Sequence, residues 1–345
     1  MGRGLPYGAG VEKRPTIYDV AKEAGVAAST VSRAFSNPGR VNANTSRKVF
    51  EAAERIGYRS DAIEGRIGAH TRALALVVSD IANPFYDEII TGATDAAREA
   101  GYVLMILHTR EDADYERTII EGCIDLVEGI VFASTRLGEV ALRNIAKRRP
   151  VVLLNRRMPE VSCLIIDNAR GIRRSAEHLG GLGHGSIAYL PGPSTSWADG
   201  ARWRALREAA HELELGVRRI GTSCETPSVQ AGFDAAEDVI ATGTTAVQTY
   251  NDALGVGLVR GLRAHGVRVP IDISVVGFDN IQISQLVDPM LTTVASPLRS
   301  QGHTGVTNVL ALVRGRAKHS GTLKLPVKLV VRQTTARPGR ISRRS

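Results

Sequence analysis

Two sets of side chains carry the chemistry this sequence offers. The first lies on a short predicted helix, where Ala28, Ser29 and, one turn on, Arg33 share an exposed face. An arginine fork matches the O6/N7 edge of guanine with paired hydrogen bonds, worth about 1–3 kcal/mol of base discrimination. Alanine offers a thymine methyl apolar contact alone. The second set is spread over the remaining chain. Asp279, just beyond a predicted strand end, can accept two hydroxyls, Arg202 can donate as a fork, and Asn251 can do both. Phe85, Tyr86 and Trp197 can stack on the apolar face of a pyranose ring.

No catalytic set stands beside them. The stretch Gly181-Leu182-Gly183-His184-Gly185 follows a helix and precedes a strand, the reverse of a dinucleotide-binding loop, and His184 reads as a turn residue. His211-Glu212 lacks the second histidine of a zinc helix. Cys123, Cys163 and Cys224 are odd in number and far apart, which argues against disulfides and cysteine metal sites. Gly255, Gly257 and Gly261 lie within one helix and signal close packing. The expectation is a binding protein with no cofactor and no metal, and not an enzyme.

Length and charge set the frame for these residues. At 345 residues the chain suggests two or three domains, and its 43% hydrophobic content supplies ample core. No apolar run long enough to span a membrane occurs, and Met1–Pro6 lacks the apolar core of a signal peptide. A cytoplasmic protein with no membrane partner is expected. The net charge of +9 sits at the two ends: residues 1–72 carry +5, 332–345 carry +5, and the rest nets −1. A basic end on a neutral body is the footprint of a nucleic-acid-binding module joined to something else. Residues 336–345 are expected to form a disordered basic tail.

Helical periodicity positions the first set. Thr16-Ile17-Tyr18-Asp19 can cap a helix, Ile17, Val20, Ala21 and Ala24 repeat at helical spacing, and Gly25 can end it. A second helix runs through Ser29–Phe35 before Asn37-Pro38-Gly39, and a third starts at Asn42 as N-cap. Two short helices around a tight turn make a helix-turn-helix, whose second helix enters the major groove.

The run Thr16-Ile17-Tyr18-Asp19-Val20-Ala21-Lys22-Glu23-Ala24-Gly25-Val26, followed by Thr30-Val31-Ser32-Arg33, resembles the DNA-binding signature of LacI/GalR-type transcriptional regulators. That resemblance implies that Ala28, Ser29 and Arg33 read bases while Asn42 and Thr45 hold phosphates. It also implies a hinge over 61–72 that inserts Ile67 as a minor-groove wedge. Two departures weaken the backbone grip. Ala27 replaces a usual serine, and Ser46 stands where arginine is common. Gly65, Gly68 and Glu64 should make the hinge order less readily.

From residue 73 onward, apolar strands alternate with helices of 10–15 residues, as in Ala73–Val78, Tyr102–Leu107, Gly129–Ala133 and Val151–Leu154, then Ile187–Leu190, Val217–Ile220, Ala246–Thr249 and Ile273–Gly277. This pattern predicts two doubly wound α/β lobes of parallel strands, with a ligand cleft beyond the strand ends. The segments Asn83-Pro84-Phe85-Tyr86, Asn251-Asp252-Ala253, Val275–Asn280 and Pro289–Val294 extend the resemblance to the family's effector domain, itself similar to periplasmic sugar-binding proteins.

The resemblance implies the following organisation: a helix-turn-helix domain over 14–60, the hinge over 61–72, and an effector and dimerisation domain over 73–335. Its lobes would span about 73–168 with 296–325, and 169–295 with 326–335. Arg202, Asn251 and Asp279 fall where the family holds its effector, and Asn155 and Arg156 fall on the pocket wall. The implied function is a DNA-binding regulator, a homodimer on a pseudopalindromic double-stranded operator, most simply a sugar-responsive repressor. A purine or phosphorylated metabolite is the alternative effector, and a sugar-transport protein a remoter reading.

Overall fold

The computed structural model describes residues 15–36, 41–56, 58, 72–221, 226–316 and 321–339. The chain divides into two compact units, Met1–Thr71 and Arg72–Ser345. Ile67 and the segment 59–71, which includes most of the expected hinge, lie outside the described residues.

The first unit holds three helices, α1 (Ile17–Ala24), α2 (Ala28–Ser36) and α3 (Ala43–Arg55). The Asp19 carboxylate accepts the Thr16 N–H and hydroxyl, both at 2.7 Å, and closes the start of α1. Gly25 ends it at φ +65°, a left-handed conformation in which a β-carbon is disfavoured. Val20, Val31, Ala34, Val49 and Ala52 are fully buried in a small common core, and Phe35 meets Phe50 edge-on at 5.1 Å.

The second unit contains two six-stranded sheets. In chain order its elements are β1 (Ala73–Val78), α4 (Phe85–Glu99), β2 (Val103–His108), α5 (Ala113–Cys123), β3 (Gly129–Phe132), α6 (Glu139–Arg148), β4 (Val151–Leu154), β5 (Ser162–Ile166) and α7 (Asn168–Gly181). They continue as β6 (Ser186–Leu190), α8 (Trp197–Glu212), β7 (Gly216–Arg219), α9 (Val229–Asp234), α10 (Ala236–Ala241), β8 (Ala246–Thr249) and α11 (Asp252–Ala264). The last are β9 (Ser274–Asp279), α12 (Ile283–Leu286), β10 (Thr292–Ala295), α13 (Leu298–Val313), β11 (Thr322–Leu325) and β12 (Lys328–Val330).

One sheet runs β11-β5-β4-β3-β1-β2 and the other β12-β10-β9-β8-β6-β7. Every described pairing is parallel except β10 with β12. The central strands are buried on both faces, which is why they read as unbroken apolar runs. The chain crosses between the lobes three times: at Asp167, at Ser296-Pro297, and at Pro326-Val327.

Glycines let the helices touch. A β-carbon on Gly92 would collide with the Arg299 carbonyl, and one on Gly302 with the Ile89 carbonyl, so α4 and α13 meet backbone to backbone. Gly257 and Gly261 do the same for α11 against the Val229 and Phe233 carbonyls.

Two expectations need correction. Residues 336–339 are not a free tail: Ala336 donates to Ser274 Oγ at 3.1 Å and Gly339 to the Ile271 carbonyl at 3.3 Å, while 340–345 lie outside the described residues. His184 is no turn residue but a buried clamp, 2% exposed, its ring contacting Thr245 Oγ1 at 2.8 Å, Ser274 Oγ and the Ala336 carbonyl. Burial lowers its pKa below the usual histidine value. A neutral ring, which keeps one acceptor and one donor, suits these partners.

Candidate functional site

In the first unit, Ser29 and Arg33 are exposed on α2, whereas Val31 and Ala34 face the core. Ala28 is half-buried against that core, so it presents less surface than the helix pattern alone implied. Asn42 caps α3 through its side-chain oxygen, which accepts the Asn44 N–H at 2.9 Å. Its amide N–H2 is therefore the group left for a phosphate. Thr45 is half-buried. Ser46 is buried with its hydroxyl unpartnered, so this position points inward rather than toward a backbone, and exposed Arg47 and Lys48 follow it. Tyr18 is 73% exposed on the first turn of α1, a surface position that its place in the helix start did not single out.

In the second unit a cavity of about 460 Å³ opens between the lobes at the strand ends. It is lined by Phe85, Tyr86, Asn155 and Arg156 from one lobe and by Trp197, Arg202, Asn251 and Asp279 from the other. The six second-set residues thus come together with the two expected wall residues, Asn155 and Arg156.

The floor is the pair Arg202 and Asp279, both side chains 4% exposed and 3.3 Å apart. The Arg202 guanidinium also donates to Asn168 Oδ1 at 2.9 Å and to the Tyr250 carbonyl, and stands 3.6 Å from the Phe278 ring centre. Three of its five N–H groups are thereby satisfied, leaving two for a ligand. Asp279 sits at φ +112° and is followed by Asn280 at φ +62°, a turn that aims the carboxylate off the strand end. Burial raises its pKa to about 7, with the Arg202 charge opposing the rise. Asn251 caps α11 by accepting the Leu254 N–H at 3.0 Å, so its oxygen is committed to the helix and its N–H2 is the free half.

Both members of the pair are tied to the lobe crossings. Asn168 directly follows the first crossing, and the Asp279 carbonyl accepts the N–H of Ser296, in the second, at 3.3 Å. Behind them Asp252 accepts Thr293 Oγ1 and the Ile281 N–H. Burial, reinforced by neighbouring Asp279, pushes its pKa well above the carboxylate range.

The opposite wall is organised by residues the sequence did not reveal. Glu111 pairs with Arg136 and accepts Ser79 Oγ at 2.7 Å, and Ser79 Oγ in turn meets the Tyr86 hydroxyl at 2.6 Å. Tyr86 is 4% exposed and packs edge-on against Phe85, so of the two Phe85 offers more ring surface to the cavity. Burial raises the Tyr86 pKa. Buried Glu116 accepts Thr135 Oγ1 and the Arg136 N–H, fixing the loop that carries Arg136; burial raises its pKa too. Asn155 lines the wall, but Gln301 donates to its oxygen at 2.8 Å and its amide donates to the Ala133 carbonyl at 3.2 Å. Trp197, 36% exposed, stands at the mouth. Among the described residues no His/Cys/Asp/Glu group could hold a metal ion.

The model for bacterial regulatory proteins of the lacI family matches residues 16–61, and that for a periplasmic binding protein-like domain matches 176–335. The HTH-type transcriptional regulator DegA of Bacillus subtilis is 31% identical over 332 residues, covering 94% of this chain and 98% of that protein. This chain belongs to the LacI family of transcriptional regulators.

The HTH-type transcriptional repressor CytR of Escherichia coli is 28% identical over 94% of this chain and 97% of its own length. Among solved structures, the lac repressor dimer bound to operator and the anti-inducer ONPF matches with TM-score 0.72 at 28% identity, covering 94% of this chain and all of that one. The CelR–cellobiose complex matches with TM-score 0.69 at 27% identity, covering 93% and 100%. These relatives are regulators rather than enzymes. No helix among the described residues is long and apolar enough to cross a membrane.

Proposed function

We propose that this regulator is a sugar-responsive repressor that binds a pseudopalindromic operator as a homodimer in the cytoplasm. The observation that carries the effector reading is the buried Arg202–Asp279 pair. It places spare N–H donors and a carboxylate at one end of a cleft, with aromatic rings at Phe85 and Trp197. Sugars need this mixture of bidentate hydroxyl partners and an apolar face. The neighbour bound to cellobiose supports the same class.

An effector that touches both lobes can bias their closure, because Arg202 and Asp279 are each bonded to a crossing. Such coupling requires unequal affinity for two states, typically about 1–3 kcal/mol. In the first unit Arg33 and Ser29 would read bases, with Ala28 adding apolar contact, while the Asn42 amide, Thr45 and exposed Tyr18 would hold the backbone. Ile67 keeps its expected wedge role in this reading.

Selecting duplexes from a random library at about 150 mM salt tests the DNA side, since nonspecific phosphate binding is weakened there. A recovered palindrome with two half-sites is the expected result. Failure to enrich any sequence, with and without a sugar panel, overturns the proposal.

A further inference from the structure

The cleft does not end at Trp197. A second cavity of about 660 Å³ adjoins the first, and Arg157 and Trp197 line both. Arg204 and Glu160 complete its charged lining.

The cations of the two chambers differ in kind. In the inner chamber Arg136 faces Glu111 and Arg202 faces Asp279, so these two guanidiniums are neutralised, whereas Arg156 makes no ion pair among the described residues. Such neutralised pairs suit an uncharged, hydroxyl-rich ring. Arg156, at the inner wall, donates to the Leu137 carbonyl at 2.6 Å. Among the described residues neither Arg157 nor Arg204 makes an ion pair. Both are exposed, and Glu160 is the one carboxylate set against them in the outer lining.

Two uncompensated forks at the open end of a sugar-sized pocket match a planar or tetrahedral anion bidentately. Solvation keeps them inexpensive when the site is empty, and a bound anion would gain from both at once. Resting on the effector reading above, we propose that the natural effector is an anionic sugar. Its ring lies among Arg202, Asn251 and Asp279, and its phosphate or carboxylate group lies between Arg157 and Arg204 beside Trp197. The tryptophan ring covers the joint between ring and anion.

The test is calorimetric titration of the full-length protein with sets of ligands matched on several sugar rings: the neutral sugar, its terminal phosphate and its uronate. For at least one ring an anionic form is expected to bind about tenfold or more tighter than the neutral sugar, an advantage that shrinks as salt rises. Comparison of phosphate with uronate identifies the anion. In Arg157→Gln/Arg204→Gln the advantage is expected to collapse toward one, and Arg204→Lys, which keeps the charge, retains part of it. Both positions are exposed, and unaltered melting of the free variants confirms that folding is intact. If neutral sugars bind and their anions bind no tighter, or the advantage survives the double variant, the anion seat is wrong and the sugar reading stands. If no member of any set binds, both fall.

Discussion

The Arg202 guanidinium lies 3.3 Å from the Asp279 carboxylate, and each side chain is only 4% exposed. A buried pair of this kind gains little over an apolar core, but losing Arg202 leaves Asp279 either as a bare buried charge or forced to take up a proton, which costs up to about 3–5 kcal/mol. The pair therefore makes sense as a ligand-binding device rather than as a fold stabiliser. Arg202→Ala is expected to lower stability by roughly that amount, measured by urea unfolding of the isolated second unit's transition. A loss well under 1 kcal/mol would mean the pair is not desolvated in solution.

The acidity of Asp279 gives a pH signature. Its pKa of about 7 in the folded protein exceeds the unfolded value of about 3.9. Between those values the native state holds a proton the unfolded chain has lost, so stability falls as pH rises from about 4 to about 7 and this contribution is flat above. Raised Asp252 slopes the same way. Asp279→Asn should flatten part of the decline in unfolding free energy between about pH 4 and pH 7. An unchanged slope would assign the titration to other groups.

Arg33 is exposed on α2 while its neighbours Val31 and Ala34 are buried. Arg33→Ala is expected to weaken binding to a selected operator by about 1–3 kcal/mol while changing affinity for random duplex far less. Equal losses on both, read by fluorescence anisotropy, would make it a phosphate contact.

The α4–α13 crossing is set by glycine. Gly302→Ala places a methyl against the Ile89 carbonyl, backbone that cannot swing aside. Overpacking of this sort costs about 1–3 kcal/mol. Its melting temperature should fall, whereas Gly122→Ala, at a position with nothing nearby, should show no comparable fall.

The central strands were legible because a parallel strand buried on both faces is a pure apolar run: Ala73–Val78 appears with the bounds the sequence suggested. Strand Ser162–Ile166 was not, since it opens on serine and cysteine after a loop. Helix Leu298–Val313 was missed for a related reason. Its first turns read Ser300-Gln301-Gly302-His303, and its buried face includes glycines and Gln301, so it lacks an apolar stripe. Between β7 and β8 the polypeptide forms two short helices, Val229–Asp234 and Ala236–Ala241, that meet at Ala235.

In the site, Arg202, Asn251 and Asp279 were legible through family position. The residues that organise the site around them were not: Asn168, Glu111 and Arg136 are polar residues in ordinary local sequence, and only the fold brings Arg202 to Asn168 or Arg136 to Glu111.

The most direct test of the whole account is an operator titration by anisotropy, using the selected palindrome, wild type and Asp279→Asn, with and without a saturating sugar that binds the wild-type cleft. The wild type's operator affinity is expected to change by about 5–150-fold. The variant should bind operator but show no change. An equal change in both proteins, or none in either, would contradict the assignment of this cleft as the switch that controls DNA binding.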